Sequence, residues 1–198
     1  MHKLTLVIPA KKEKESLPHV IKELEEYNLK IIVVLEETDK ETMNSIKDTG
    51  CKILYQKNKG YGDAIKLGIS EVSSKYFAIF NADGSFNPNE LNGMYEILEN
   101  DKADIVFASR YEQGCGSEDD TIVTFLGNYI FTKIGNIFFK LNITDILYTF
   151  VMANTKKIKN IYFEKNDFRF CVELPVKCKR NNLKSLTSKS FERKRISG

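Results

Sequence analysis

The chain has 198 residues, with 30 Lys+Arg against 27 Asp+Glu and a formal net charge of +3. A composition 42% hydrophobic and 29% charged excludes a disordered or collagen-like chain, and the near-balanced charge argues against a nucleic-acid partner. The length fits one domain able to bury a core. The charge is unevenly spread, however: residues 156–198 carry 13 Lys+Arg and 4 Asp+Glu, so an acidic body is followed by a basic tail.

Taken in chain order, the first apolar run is 4–9. It is too short for a signal peptide and no small-residue cleavage site follows it. A helix then carries Leu17, Val20, Ile21, Leu24 and Tyr27 on one stripe, with Ser16 as its cap and Pro18 in the first turn. Run 31–35 precedes a second helix, capped by Asp39 and carrying Met43 and Ile46. Run 52–55 precedes a third, with Ala64, Ile65, Ile69 and Val72. Run 76–80 precedes a fourth, opened by Pro88 and carrying Leu91, Met94, Tyr95 and Leu98; run 104–108 follows. These runs are near-continuous rather than alternating, as in strands covered on both faces. Strands alternating with helices predict an α/β fold with an open, mainly parallel sheet.

After about residue 111 the rhythm breaks. A helix is expected over 121–141, then helical or irregular segments and a short strand near 183–186. Stretch 125–141 is interrupted by Asn128, Lys133, Asn136 and Lys140, so it is not expected to cross a bilayer. Composition favours a core helix, with a position on a membrane surface as the alternative. The division is therefore an α/β half, 1–111, and a second region with the basic tail, 112–198. Cys51, Cys115, Cys171 and Cys178 form no CxxC pair, which favours reduced thiols and a cytoplasmic location.

Ligands of open α/β sheets bind beyond the carboxyl ends of the strands. There the sequence places Pro9, Ala10 and Glu13; Glu36; Lys59, Gly60 and Gly62; Asn81, Ala82 and Asp83; and Arg110. Asp83 is the sharpest candidate. Carboxyl and amide oxygens two residues apart suit Mg²⁺ or Mn²⁺, although Asn-Ala-Asp-Gly is equally good Asx-turn chemistry. Gly60 and Gly62 lack the third glycine of a dinucleotide fingerprint but permit a tight turn and close backbone approach to a ligand. There is no GxxxxGK[ST] loop. With His2 and His19 the sole histidines, His-based catalysis has no support.

In order and spacing these segments resemble the nucleotide-sugar-dependent family 2 glycosyltransferases of GT-A fold, in particular polyprenol-phosphate mannose or glucose synthases. The resemblance spans essentially the whole chain. It is carried by Val7-Ile8-Pro9-Ala10 with Glu13, by Val33-Val34 with Glu36 and Thr42, and by Asn58 to Ile65 with Gly68. Asn81-Ala82-Asp83-Gly84-Ser85 with Pro88, Ala108-Ser109-Arg110-Tyr111 with Gly114 and Gly116, Asp145 with Phe150, and the closing segment 192–198 continue it.

The resemblance implies that Pro9, Ala10 and Glu13 border the nucleotide and that Glu36 holds its base or ribose. It makes Asp83 the surviving acid of an Asp-x-Asp metal motif, puts Arg110 by the phosphates and Asp145 in the acceptor region, and sets Arg193 or Arg195 near anionic groups. Three departures stand out: Leu35-Glu36 where an Asp-Asp pair is usual, Asn81 in place of the first metal Asp, and Tyr148-Thr149 where Ser-Gly is usual.

The implied function is inverting hexosyl transfer from a UDP- or GDP-linked sugar to a polyprenyl phosphate or other lipid-linked, cell-envelope glycan acceptor. A phosphate acceptor needs no strong base; a hydroxyl acceptor would, with Asp145 the first choice. The basic tail and the 125–141 helix would then hold the protein peripherally on an anionic membrane. The alternatives are a nucleotide-sugar-binding protein without transfer activity and, last, a nucleotidyltransferase, for which the first loop lacks glycines.

Overall fold

The computed structural model describes residues 1–196. Positions 197 and 198 of the closing segment lie outside the described residues. A seven-stranded sheet runs in the order β3 (Lys52–Gln56), β2 (Lys30–Glu36), β1 (Leu4–Pro9), β4 (Tyr76–Ile79), β7 (Val151–Asn154), β5 (Ile105–Ser109) and β8 (Ser185–Lys189). All neighbours are parallel except those of β7, which runs antiparallel between β4 and β5. A two-strand ribbon pairs β6 (Gly116–Ser117) with β9 (Phe191–Glu192).

Each sheet face has its own apolar layer, which is why the central strands are buried along their length. One face is covered by α1 (Ser16–Leu24), α2 (Lys40–Ser45) and α4 (Glu90–Glu99). The other is covered by α3 (Tyr61–Glu71), α6 (Thr155–Lys159), α7 (Phe170–Arg180) and the stretch around Leu141–Ile146. Gly68 lets α3 press onto β1: a Cβ there would meet Val7 Cγ1 at 2.3 Å.

Four expectations are corrected. Ser16 is the first helical residue rather than the cap; Glu15 precedes it without a side-chain bond, and the Ser16 hydroxyl donates to Glu13. Tyr27 falls in a 3-10 turn, Glu25–Tyr27, after α1. The basic C-terminal segment is no tail, because α6, α7, β8 and β9 are built into the domain. Several of its cations are paired: Lys157 with Asp104, Lys177 with Glu164, Arg193 with Glu23 and Arg195 with Asp119.

The fourth concerns α5 (Ile122–Phe139), which was expected to be core. Its buried residues are Asn128, Thr132 and Gly135, while Ile122, Val123, Phe125, Phe131, Ile137 and Phe138 face outward. Polar groups set the orientation. Asn128 Oδ1 accepts the Leu147 amide at 3.3 Å and Thr132 Oγ1 the Ile146 amide at 3.1 Å. Asn136 exchanges two bonds with Ile143, at 2.8 and 3.2 Å. The loop after α5 has no strand partner for these amides, and an unpaired buried amide is costly, so the helix turns its polar stripe inward.

Candidate functional site

The carboxyl ends of β1 to β5 converge on a cleft of about 580 Å³. Beyond β1 the chain continues as a pseudo-strand, with the Ala10 amide donating to Val34 O at 3.0 Å. It then turns at Lys12, whose φ is +60°. Helix α2 fixes this turn: Asp39 caps α2 and also accepts the Lys12 amide at 2.6 Å, while Thr42 Oγ1 accepts the Glu13 amide at 2.9 Å. Glu13 thus reaches the cleft partly buried. Burial pushes its carboxyl above the ordinary value; the Ser16 hydroxyl pulls the other way and the Asp83 charge adds to the rise. Glu36, at the end of β2, pairs with Lys11 at 2.8 Å.

Beyond β3, Gln56 Nε2 donates to the carbonyls of Asn58 and Gly60 at 2.6 and 3.2 Å and curls the loop. Gly60 has φ +117°, a conformation that favours glycine. The two glycines admit the chain's own backbone: a Cβ at Gly60 would meet Asn166 O at 2.3 Å, and one at Gly62 would meet Lys165 O at 2.6 Å. Gly60 makes the expected tight turn and still borders the cleft, whereas Gly62 is turned to the chain's own backbone. The 165–167 segment they admit brings Asp167 and Phe168 to the cleft, with Phe168 stacked on Tyr61 at 4.9 Å.

Beyond β4, Asp83 Oδ1 accepts the Ser85 amide at 2.9 Å and its hydroxyl at 2.7 Å, which is an Asx turn closed by Gly84 at φ +83°. The turn uses one carboxylate oxygen. The other, Oδ2, faces Arg195 Nε at 3.8 Å, and Asn81 stands beside the turn, 3.4 Å from Ser85 Oγ. Turn chemistry and a second carboxylate oxygen, turned to Arg195, therefore coexist in one side chain. The C-terminal strap is tied down here by the Arg193 amide to Ser85 O and the Ile196 amide to Asp83 O, both 2.9 Å. Among the described residues no three His, Cys, Asp or Glu side chains form a metal cage. Asp83 with Asn81 instead suits a hard cation that takes its remaining oxygens from a bound diphosphate.

Beyond β5, Arg110 is 11% exposed and lines the cleft. Asp145, wholly buried, grips it through Nε at 2.8 Å, Nη2 at 3.0 Å and the backbone amide at 3.2 Å, and also accepts from Asn128 Nδ2. Glu192 takes Nη1 at 2.9 Å, and the guanidinium lies over the Tyr148 ring at 4.6 Å. Burial opposes the charge, but the two carboxylates more than offset it and hold Arg110 firmly protonated. Below the cleft, Phe80, Phe86 and Phe150 form a packed aromatic floor, with Phe86 stacked on Phe150 at 4.7 Å.

Of the residues expected at the site, Pro9, Ala10, Glu13, Glu36, Gly60, Asn81, Ala82, Asp83, Arg110 and Arg195 line the cleft together. Lys59 and Gly62 do not. Arg193 turns away to Glu23 and the carbonyl of Phe86. Asp145 lies behind Arg110 with both oxygens engaged, which fits an anchor and not a proton acceptor. Two lining residues, Asp167 and Phe168, had no place in the sequence expectations, and Gln56, Tyr61 and Glu192, which stand at a strand end or in the closing segment, had no assigned role. For Asp167 and Phe168 the available signal was the Gly60–Gly62 pair, which needs another segment laid against it.

A mixed, mostly parallel sheet flanked by helices, with a cleft at its strand ends, is the architecture of the GT-A glycosyltransferases. The sequence model of glycosyl transferase family 2 matches residues 5–162, and the chain belongs to that family. It is 34% identical over 88 residues to an uncharacterized glycosyltransferase of Rickettsia prowazekii, covering 43% of this chain and 28% of that one. It is 30% identical over 108 residues to an uncharacterized glycosyltransferase of Mycobacterium tuberculosis, covering 54% and 48%. The chain thus spans less than half the length of these curated relatives.

Among solved structures, glucosyl-3-phosphoglycerate synthase of M. tuberculosis, crystallised with Mn²⁺, UDP and glucosyl-3-phosphoglycerate, superposes with a TM-score of 0.74 at 12% identity. The match covers 98% of this chain and 71% of that one. Mannosyl-3-phosphoglycerate synthase of Rubrobacter xylanophilus gives 0.74 at 16%, covering 98% and 67%. At these identities the likeness is one of fold.

Proposed function

We propose that this chain transfers a hexose from a nucleoside diphosphate sugar, UDP- or GDP-linked, to an anionic acceptor, with inversion at the anomeric carbon. The observation that carries the reading is the Asp83 side chain, which spends one oxygen on its own turn and leaves the other facing the cleft beside Arg195. The nucleotide lies against Pro9, Ala10, Glu13 and Glu36, and its diphosphate at Asp83, Asn81 and Arg195. Asp83 and Asn81 would hold Mg²⁺ or Mn²⁺, which when bound would supply the positive charge that makes the diphosphate a good leaving group. Its presence with UDP in the glucosyl-3-phosphoglycerate synthase structure supports that assignment by analogy.

In the displacement an acceptor oxygen forms the new bond to the anomeric carbon while the old bond to the diphosphate breaks and its electron pair leaves with the nucleotide. Arg110, kept charged by Asp145 and Glu192, holds an acceptor phosphate in place. Such an acceptor has no proton to lose, so positioning and charge carry the rate, and engagement of Asp145 by Arg110 is no obstacle. A polyprenyl phosphate or related lipid-linked glycan acceptor, met at the cytoplasmic face of a membrane, fits this chemistry.

The test is transfer of labelled hexose from UDP- and GDP-sugars to polyprenyl phosphate with Mn²⁺, using Asp83→Ala as control. Labelled lipid lost in the variant supports the reading. Metal-dependent nucleotide binding without transfer to any phosphate or hydroxyl acceptor would favour the non-catalytic binder that Asn81 suggests.

A further inference from the structure

Helix α5 presents its apolar side to solvent over its whole length. Ile122, Val123, Ile137 and Phe138 are between 71% and 87% exposed, and Leu126, Ile130 and Phe131 about half. A continuous patch of this size on a soluble domain marks an interaction surface. We infer that this face seats in the interfacial layer of an anionic lipid leaflet, with the helix lying in the membrane plane.

Three observations select this occupant. The first is charge. The charged side chain within α5 is Lys133; Lys140 follows at its end, and Arg180 from α7 stands over Phe139 at 5.7 Å. All three are exposed cations rimming the apolar face, the pattern that meets anionic headgroups. Of the acidic residues at the other end, Asp119 is tied to Arg195, Asp120 to Tyr111 and Thr124, and the exposed Glu118 accepts the Lys194 amide. A leaflet of anionic lipid pairs with the three cations.

The second is the inner face. By length and composition α5 could cross a bilayer, with a mean hydropathy of 1.3. Yet Asn128, Thr132 and Asn136 are bonded to the 143–147 loop. Spanning would strip those bonds in hydrocarbon, where nothing replaces them; lying flat keeps them. The third is placement. Thr124, in the first turn of α5, and the exposed Leu147 both line the cleft, so a helix at the interface sets the cleft mouth at headgroup level. This part rests on the reading of a membrane-borne acceptor, whereas the seating itself does not.

The test is flotation with vesicles of phosphatidylcholine alone or mixed with phosphatidylglycerol, at low and high salt. The comparison is wild type, Ile137→Ser/Phe138→Ser, and Lys133→Glu/Lys140→Glu. Wild type is expected to float with the anionic vesicles at low salt. The apolar double variant should lose on the order of a hundredfold in partitioning, from the two side chains no longer buried in lipid. The charge variant should lose at least about tenfold. Both variants should keep the wild-type melting temperature and its shift by UDP or GDP with Mn²⁺, which separates failure of seating from failure of the fold or donor site. Wild type that stays soluble with every vesicle, or an apolar variant that floats like wild type, overturns the inference. So does a vesicle-free dimer in sedimentation that the apolar variant dissolves, since the occupant would then be a second copy. Transfer to a short-chain, soluble lipid phosphate, measured in parallel, reports on the acceptor reading independently.

Discussion

Replacing Asp145 with alanine separates the two roles open to a carboxylate behind the cleft. As an anchor it accepts from Arg110 Nε at 2.8 Å, Nη2 at 3.0 Å and the backbone amide, and from Asn128. Removal leaves a guanidinium that is 11% exposed with one remaining carboxylate, Glu192 at 2.9 Å. Breaking a buried pair by deleting one member costs about 3–5 kcal/mol. The surviving Glu192 bond puts Asp145→Ala at the lower end, about 3 kcal/mol. For a chain of this size that lowers the melting temperature by roughly 6–12 °C. Asp145→Asn keeps the shape and one acceptor and should lose less, about 1.5–3 kcal/mol. Urea and thermal unfolding measure both. An Asp145→Ala protein within about 1 kcal/mol of wild type, yet without transfer activity, would refute the anchor and restore the base.

Three further outcomes follow from the same geometry. Gly68→Ala should destabilise by about 1–3 kcal/mol, because its Cβ would overlap Val7 at 2.3 Å; Gly93→Ala in α4, with nothing within 4 Å, should stabilise by about 0.5–1 kcal/mol. Opposite signs in unfolding midpoints check this pair. Burial raises the Glu13 carboxyl above 4.5, so its charged form is disfavoured in the fold at neutral pH and that penalty is relieved as pH falls through the folded value toward 4.5. Measured against Glu13→Gln, wild-type stability should therefore improve on acidification; an unchanged difference contradicts it. Arg195→Ala, which removes the cation 3.8 Å from Asp83, should weaken nucleoside diphosphate binding about tenfold while leaving unfolding within about 1 kcal/mol, read by titration calorimetry.

The parallel half of the fold was legible because a strand buried on both faces is written as a near-continuous apolar run, as in β1, β2, β4 and β5, while the partly covered edge strand β3 keeps a shorter one. Strand β7, Val-Met-Ala-Asn, was not. Its place between β4 and β5 depends on the chain leaving the sheet through α5 and returning reversed, which no local pattern encodes. Helix α5 shows the limit of composition. Its apolar residues say core, but its buried side is marked by the sparse Asn128, Thr132, Gly135 and Asn136, spaced at helical period. The few polar positions were the informative ones. The basic C-terminal segment misled in the same way: a count along the chain shows cations, whereas their partners Glu23, Asp104 and Asp119 lie far away in sequence. At the site, motif residues at the strand ends were readable, and residues delivered by the 165–168 segment, Asp167 and Phe168, were not.

The most direct measurement of the central claim is a thermal-shift panel of nucleoside diphosphates, each with and without Mn²⁺, on wild type and Asp83→Ala. One diphosphate is expected to stabilise the wild-type protein in a metal-dependent way, and Asp83→Ala, which melts somewhat lower on its own because the two bonds of its Asx turn are lost, is expected to show no such ligand-induced shift. Stabilisation by a diphosphate that is indifferent to metal, or that survives Asp83→Ala intact, would contradict it.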